Sequence, residues 1–157
     1  MANITLVLIV LAAALNGIVA GASLDQAIKQ LPTRHRIGVI AYSTYSQNAD
    51  LGNGIPWYVG LGISTVLTTI EATLAALSQQ LPSEKLSPLF VAALFSILHS
   101  LVTTQAAPLM FKQRQQQNDE TALSTLFNRF ARLHLFRTLF QVVTFAALLW
   151  ALVSYLR

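Results

Sequence analysis

Cysteine and charged residues are what this sequence has least of. The chain of 157 residues contains no cysteine, so disulfide bonds and thiolate metal sites are excluded. Only 10% of the residues are charged, whereas a soluble domain carries about 25%. That is too little charge to cover a surface that faces water. Because 54% of the residues are hydrophobic and they gather in long runs, the composition indicates membrane-spanning segments.

The small charged fraction is basic, with a formal net charge of +4. In a soluble protein this balance would suggest a nucleic-acid partner. Here the lysines and arginines flank the apolar runs, where membrane topology and anionic lipid headgroups explain them better. We therefore expect membrane lipids as partners and no nucleic acid.

Four apolar runs are long enough to cross a bilayer, which requires about 20 residues. They cover residues 4–22, 57–77, 88–109 and 133–156. The first run ends in a sequence that resembles a signal-peptide cleavage site, but it lacks a preceding basic segment, which favours a retained helix. The sequence predicts an all-α fold, in which residues 1–157 form a single integral membrane four-helix bundle.

The two longer connections, residues 23–56 and 110–132, hold most of the basic residues. The positive-inside rule places both connections in the cytoplasm and both termini on the non-cytoplasmic side. Apolar residues recur at helical spacing in each connection, so we expect amphipathic helices there. Because residues 119–156 contain neither glycine nor proline, they should form one long helix. The polar stretch before it, "KQRQQQNDE", is typical of a solvated turn.

Three ionisable residues lie inside the apolar runs, namely Glu71, His99 and Arg137. Such residues are costly at membrane depth and usually have a function. A rise of about 1.5 Å per residue places His99 in one layer near the midplane with the amides of Asn16 and Gln141. The same measure places Glu71 nearer the outer face and Arg137 nearer the cytoplasmic face.

Polar residues in three of the runs recur at intervals of three and four, so each of these helices has a polar face. The three faces consist of Ser64, Thr68 and Glu71; of Ser96, His99 and Thr103; and of Phe130, His134, Arg137, Gln141 and Thr144. Lipid disfavours polar faces that turn outward. The faces should therefore converge on a polar pocket inside the bundle.

A buried pair of glutamate and histidine can exchange a proton near neutral pH, which suits acid–base catalysis on a lipophilic substrate. We predict that His99 and Glu71 form this catalytic pair. The predicted substrate-binding residues are Asn16, Thr68, Thr103, Arg137 and Gln141. Because the spans hold so few metal-ligand residues at one depth, we predict no metal site and no cofactor.

Two other functions stay open. Buried polar groups can fix the helix register of a non-catalytic membrane subunit or scaffold without doing any chemistry. A small proton-coupled carrier would use Glu71 to carry the proton, and at this size would form a homo-oligomer. The main prediction is an enzyme or a binding protein for a small lipophilic molecule.

The layout also resembles a known family. The features that carry the resemblance are four spans, the "LP" of Leu31 and Pro32 after the first span, and the basic, aromatic entry "FNRFARLHLFRTLFQ" to the last span. They look like those of the anthrone-oxygenase-like group of small membrane proteins. The resemblance implies a four-helix membrane fold and, for some members, cofactor-independent oxidation of polyketide anthrones by O₂. The segment "YSQNADLGNGIPWY" departs from those members, so their substrate is not carried over.

Overall fold

The computed structural model describes residues 4–157, which form six α-helices and no strand. The helices are α1 (Ile4–Asp25), α2 (Leu31–Ile37), α3 (Val39–Asn48), α4 (Gly54–Ser78), α5 (Ser83–Lys112) and α6 (Glu120–Leu156). The predicted all-α class is confirmed. Four of the helices are long and apolar enough to cross a membrane, which fits a multi-pass membrane protein.

The four long helices run alternately in opposite directions and pack in a ring in the order α1, α4, α5, α6. We call the end of the bundle that holds Ile4, Ser83 and Leu156 the terminal end. The other end, which holds α2, α3 and residues 113–119, is the connection end. The assignment of these ends to the two sides of the membrane stays a prediction.

Two apolar cores hold the helices together, one at each end of the bundle. The core at the terminal end consists of Ile9, Ala12, Ala13, Ala72, Ala76, Leu89, Ala92, Ala147, Leu148 and Ala151. The core at the connection end consists of Leu31, Tyr42, Leu51, Ala106, Leu109, Met110, Leu123, Leu126, Phe127 and Phe130. Alanine lets helices approach closely in a membrane. The terminal end is therefore packed through small side chains, and the connection end through large ones.

Helix α6 is the long helix that the sequence predicts. Asp119 caps it, because its Oδ1 accepts a hydrogen bond of 2.9 Å from the backbone N–H of Ala122. A side-chain cap of this kind satisfies one of the N–H groups that have no partner within the helix. Buried positions follow one face of α6 over its whole length, from Leu123 to Ala151. The first turns of α6 therefore pack under the connection, and the rest of the helix crosses the bundle.

The connection between α5 and α6 differs from the solvated turn that the sequence predicts. Helix α5 runs on to Lys112, and a short 3-10 turn follows over Gln113–Gln115. Gln113 is fully buried. Its Oε1 accepts a hydrogen bond of 3.1 Å from Ser43, and its Nε2 donates one of 3.3 Å to Ser46. Because these two bonds satisfy the amide at both ends, a polar side chain can be buried between the two connections.

Two π-helical turns, Gln26–Gln30 and Ala49–Asn53, separate the connection helices from α1 and α4. The second turn contains a kink at Gly52, whose φ of −90° and ψ of −108° are not helical. Turns of this type occur frequently at functional sites. Both turns contribute residues to the cavity described next.

Candidate functional site: a cavity open to one side of the bundle

A cavity of about 510 Å³ lies in the half of the bundle nearer the connection end, and all four long helices line it. Its walls are mainly apolar. Val59 and Ile63 on α4 and Phe111 on α5 line the cavity and are also exposed on the outer surface. The cavity therefore opens sideways between α4 and α5. Its volume falls within the range of roughly 300–1,000 Å³ that is typical of ligand sites.

His99 lines this cavity from α5 and is 7% exposed. Its Nδ1 lies 3.1 Å from the backbone carbonyl oxygen of Arg137 on α6. A carbonyl oxygen can only accept a hydrogen bond, so Nδ1 donates, and Nε2 of the neutral ring has a free lone pair. Within residues 4–157 this Nε2 has no protein partner. It can accept a hydrogen bond or a proton from a molecule in the cavity.

The side chain of Arg137 lines the same cavity from α6. Its Nε is buried and has no hydrogen-bond partner among residues 4–157. In the part of the chain that the structure describes, the one ion pair joins Lys29 to Asp25. No carboxylate of the described chain therefore forms an ion pair with the guanidinium of Arg137, which shares the cavity with His99.

The two predicted threonines have different positions. Thr103 lines the cavity one turn after His99, and its hydroxyl donates a hydrogen bond of 2.8 Å to the carbonyl oxygen of His99. Thr68 is buried in α4, does not line the cavity, and donates a hydrogen bond of 2.7 Å to Ser64 in its own helix. Threonines in membrane helices often bond in this way to their own backbone. Thr103 is thus placed to touch a ligand, and Thr68 is not.

Asn16 and Gln141 lie in one layer, as their depth predicts, but they bind each other rather than line the cavity. Gln141 Nε2 donates a hydrogen bond of 2.8 Å to Asn16 Oδ1. Asn16 Nδ2 in turn donates one of 3.1 Å to Thr69 Oγ1 on α4. Both amides are almost completely buried, with 0% and 1% exposure. Their bonds join α6 to α1 and α1 to α4, which is the role of a structural link.

Glu71 departs most from the prediction, because its side chain is exposed and does not line the cavity. No hydrogen bond or ion pair joins it to His99 within the described chain. The reason lies in the face that α4 turns inward. This face is a stripe of small residues, Thr65, Thr69, Ala72, Thr73 and Ala76. Glu71 follows Thr69 by two positions, and at 3.6 residues per turn it falls on the opposite side of the helix.

The structure adds polar residues to the cavity that lie outside the predicted polar stripes, and two of them are ionisable. Tyr58 lines it near the start of α4, and Asp50 lines it from the π-helical turn before α4. Ser46 donates a hydrogen bond of 2.7 Å to Asp50 Oδ2. Burial raises the pKa of Asp50, and the bond from Ser46 opposes this rise. Asp50 could not be found from the polar residues of the spans, because it lies in a connection.

His134 is also buried, but it does not line the cavity. Its Nε2 lies 3.0 Å from the carbonyl oxygen of Ser23, near the end of α1. Its ring is also stacked on Phe130, with 5.6 Å between the ring centroids. His134 therefore anchors α6 to α1 at the point where the first π-helical turn begins.

The metal-ligand residues of the described chain do not gather. Residues 4–157 contain no group of three or more histidine, aspartate or glutamate side chains that could hold a metal ion. The groups available for chemistry in the cavity are an imidazole, a guanidinium, hydroxyls, one amide and one carboxyl. This set can bind and orient a polar head group, and can move a proton.

Comparison of the chain with protein-family models, with curated proteins and with solved structures finds no match. The resemblance to the anthrone-oxygenase-like group therefore stays a prediction. Function is inferred below from the cavity and from the groups that line it.

Proposed function

We propose that this protein binds a small lipophilic molecule in the cavity between α4 and α5. The observation that carries the proposal is the pairing of a mainly apolar cavity of about 510 Å³ with two polar groups that lack protein partners. These groups are Nε2 of His99 and the guanidinium of Arg137. In this arrangement the polar head of the ligand lies between His99 and Arg137, and its apolar body lies against α4 and α5.

The side opening determines how such a molecule enters. The residues at its rim lie within the second and third spans, so a lipophilic molecule passes into the cavity directly from the bilayer. The apolar body of the molecule moves from the lipid to the apolar walls of the cavity, so the hydrophobic effect contributes little free energy to this step. The polar contacts at His99 and Arg137 then provide the preference for the cavity over the lipid.

Two glycines on α4 allow a matched test of this proposal. Gly62 lines the cavity and Gly60 does not, and a Cβ added at either position meets no atom within 4 Å. Because Gly62 borders the cavity, we expect the ring of Gly62→Phe to occupy part of it, whereas Gly60→Phe makes the same chemical change at a position that does not line the cavity. Each variant is purified in mild detergent, and the lipophilic molecules that it retains are identified by mass spectrometry.

The proposal predicts that the wild-type protein and Gly60→Phe retain the same small molecule and that Gly62→Phe loses it. An absorbance scan of the same samples tests for a coloured ligand. If all three proteins retain the same molecules in the same amounts, the cavity is not the binding site and the proposal is wrong.

Acid–base catalysis on the bound molecule is a second candidate, and the free lone pair of His99 Nε2, in a cavity that Arg137 also lines, favours it. His99 would accept a proton from an acidic C–H or O–H group, and Arg137 would stabilise the anion that forms. The predicted partner acid Glu71 has no part in this scheme. Deprotonation would also be the first step of the cofactor-independent oxidation that the family resemblance implies.

Hydrogen exchange tests this second candidate without knowledge of the full reaction. The retained molecule is incubated with the protein in heavy water, and its deuterium content is measured by mass spectrometry. Catalysis by His99 predicts deuterium at an activated carbon with the wild-type protein and much less with His99→Gln. Equal exchange with both proteins, or none with either, would leave binding as the only supported function.

A further inference from the structure

The unpaired charge of Arg137 indicates which kind of ligand head group the cavity accepts. Arg34 and Lys85, the other basic residues of the described chain that are not exposed, both have polar partners. Arg34 donates hydrogen bonds to Leu31 and Asn128, and Lys85 donates one to Tyr155. The guanidinium of Arg137 has no such partner within residues 4–157.

A guanidinium inside a membrane span is costly unless an opposite charge or strong acceptors compensate it. Arg137 can meet this cost by extending its side chain toward the interface, as long basic side chains often do. The structure shows a different position, because Nε is buried and the side chain lines the cavity. The compensating group must therefore be found in or near the cavity.

The carboxyl groups of the described chain do not supply it. Glu71 is exposed and lies outside the cavity. Asp50 lines the cavity but is bonded to Ser46, and no ion pair joins it to Arg137. The cavity thus presents one uncompensated positive charge within mainly apolar walls.

We infer that the ligand is a carboxylic amphiphile, whose carboxylate pairs with Arg137 and whose apolar chain extends through the opening between α4 and α5. This inference rests on the proposed binding function. A guanidinium can bind the two oxygens of a carboxylate with two parallel hydrogen bonds. The phosphate of a phospholipid has similar chemistry, but it is held at the level of the lipid headgroups. Arg137 lies inside the fourth predicted span, residues 133–156, so a free long-chain acid fits its position better.

The test compares head groups on one chain. The protein is placed in nanodiscs of phosphatidylcholine at mildly alkaline pH and titrated with oleate, oleyl alcohol or oleylamine, and bound ligand is counted by native mass spectrometry. The wild-type protein should bind oleate more tightly than the alcohol by about 10- to 100-fold, the range that hydrogen bonds to a charged group provide. The amine should bind least. Phosphatidylglycerol is added in a separate arm as the phospholipid competitor.

Arginine variants provide the controls. Arg137→Gln should remove the preference for oleate over the alcohol, whereas Arg132→Gln, at an exposed position on the same helix, should keep it. Arg137→Lys keeps the charge but loses the planar fork, so it should show an intermediate preference. This third variant keeps the test decisive even if Arg137→Gln does not fold.

The results separate this inference from the function on which it rests. Equal binding of oleate and alcohol, both abolished by Gly62→Phe, would support the cavity but overturn the assignment of a carboxylate. Displacement of oleate by phosphatidylglycerol would show that the anionic ligand is a phospholipid and would overturn the assignment of a free acid. Binding of all ligands that is unchanged in Gly62→Phe would overturn the proposed function itself.

Discussion

His99 Nδ1 lies 3.1 Å from the backbone carbonyl oxygen of Arg137, the residue whose side chain lines the same cavity. One hydrogen bond therefore fixes three things. It joins α5 to α6, it sets the tautomer of the imidazole, and it leaves Nε2 without a partner among residues 4–157. In the proposed function, this second nitrogen is the one that contacts the ligand.

Loss of the imidazole should weaken ligand binding and leave the fold intact. His99→Ala removes one polar contact to the head group and one interhelical hydrogen bond, each worth about 1 kcal/mol. Ligand affinity should therefore fall by about five- to tenfold. His35→Ala is the matched control, because His35 is exposed in the connection. Titration by native mass spectrometry measures the affinities, and unchanged affinity in His99→Ala would show that the ring does not touch the ligand.

The Asn16–Gln141 pair should affect stability and not ligand affinity. A double-mutant cycle with Asn16→Leu and Gln141→Leu should give a coupling energy of about 0.6–1.7 kcal/mol, the range for interhelical hydrogen bonds in a membrane. Unfolding in mixed micelles measures this energy, and Gln105→Leu at an exposed position is the control. A large loss of ligand affinity without a loss of stability would mean that the amides bind the ligand after all.

Glu71→Gln should leave ligand binding and any hydrogen exchange unchanged. The side chain is exposed on the outer face of α4 and makes no bond to His99. The effect on affinity should stay within about twofold, because surface substitutions usually change energies by less than 0.5 kcal/mol. The same nanodisc titration provides the measurement. A strong effect of Glu71→Gln on affinity would support the acid–base pair of His99 and Glu71 that the sequence predicts.

Asp50 should make the stability of the protein depend on pH. Burial raises its pKa in the folded state, so the folded state holds the proton more tightly than the unfolded state does. This tighter binding of the proton stabilises the folded protein fully at pH values below the pKa that Asp50 has in the unfolded state. The stabilisation is lost as the pH rises through the higher pKa that Asp50 has in the folded state. Asp50→Asn should therefore be more stable than the wild-type protein at neutral pH.

The difference in melting temperature between Asp50→Asn and the wild-type protein should grow as the pH rises from 3.8, the ordinary pKa of an aspartate, and level off above the raised pKa of the folded state. Glu84→Gln changes an exposed carboxyl group in the same chemical way and is the matched control. A constant difference across this range would mean that the carboxyl group at position 50 is not held in a buried site.

The sequence predicted α6 better than any other helix. The repeat of Phe130, His134, Gln141 and Thr144 lies on one buried face, and Asp119 begins the helix as its cap. Helical spacing is enough here because these residues, at intervals of three and four, all fall on the side of α6 that packs against the other helices. In α4 the same spacing rule selected the polar stripe that contains Glu71, because the prediction considered the polarity of the side chains and not their size. The face that packs inward is set by small threonines and alanines, which allow close contact between helices.

The cavity itself could not be predicted from the spans. Its walls include two π-helical turns and Asp50, and their positions depend on how the connection folds back under α6. Depth along the helices placed Asn16, His99 and Gln141 in one layer, but depth does not show which side chains bind each other. That distinction requires the rotation of each helix, which is set by packing against its neighbours.

Photolabelling tests the central claim, a ligand site between α4 and α5, most directly. A long-chain acid and the matching alcohol, each with a photoreactive diazirine, are crosslinked to the protein in nanodiscs with and without excess unlabelled ligand, and the adducts are mapped by peptide mass spectrometry. The account predicts adducts near Ile63 and Met110, which line the cavity, and predicts that excess ligand removes them. Labelling of lipid-exposed residues such as Leu139 should persist. If excess ligand removes no adduct near Ile63 and Met110, or removes adducts only on the outer face of α6, the cavity is not the ligand site.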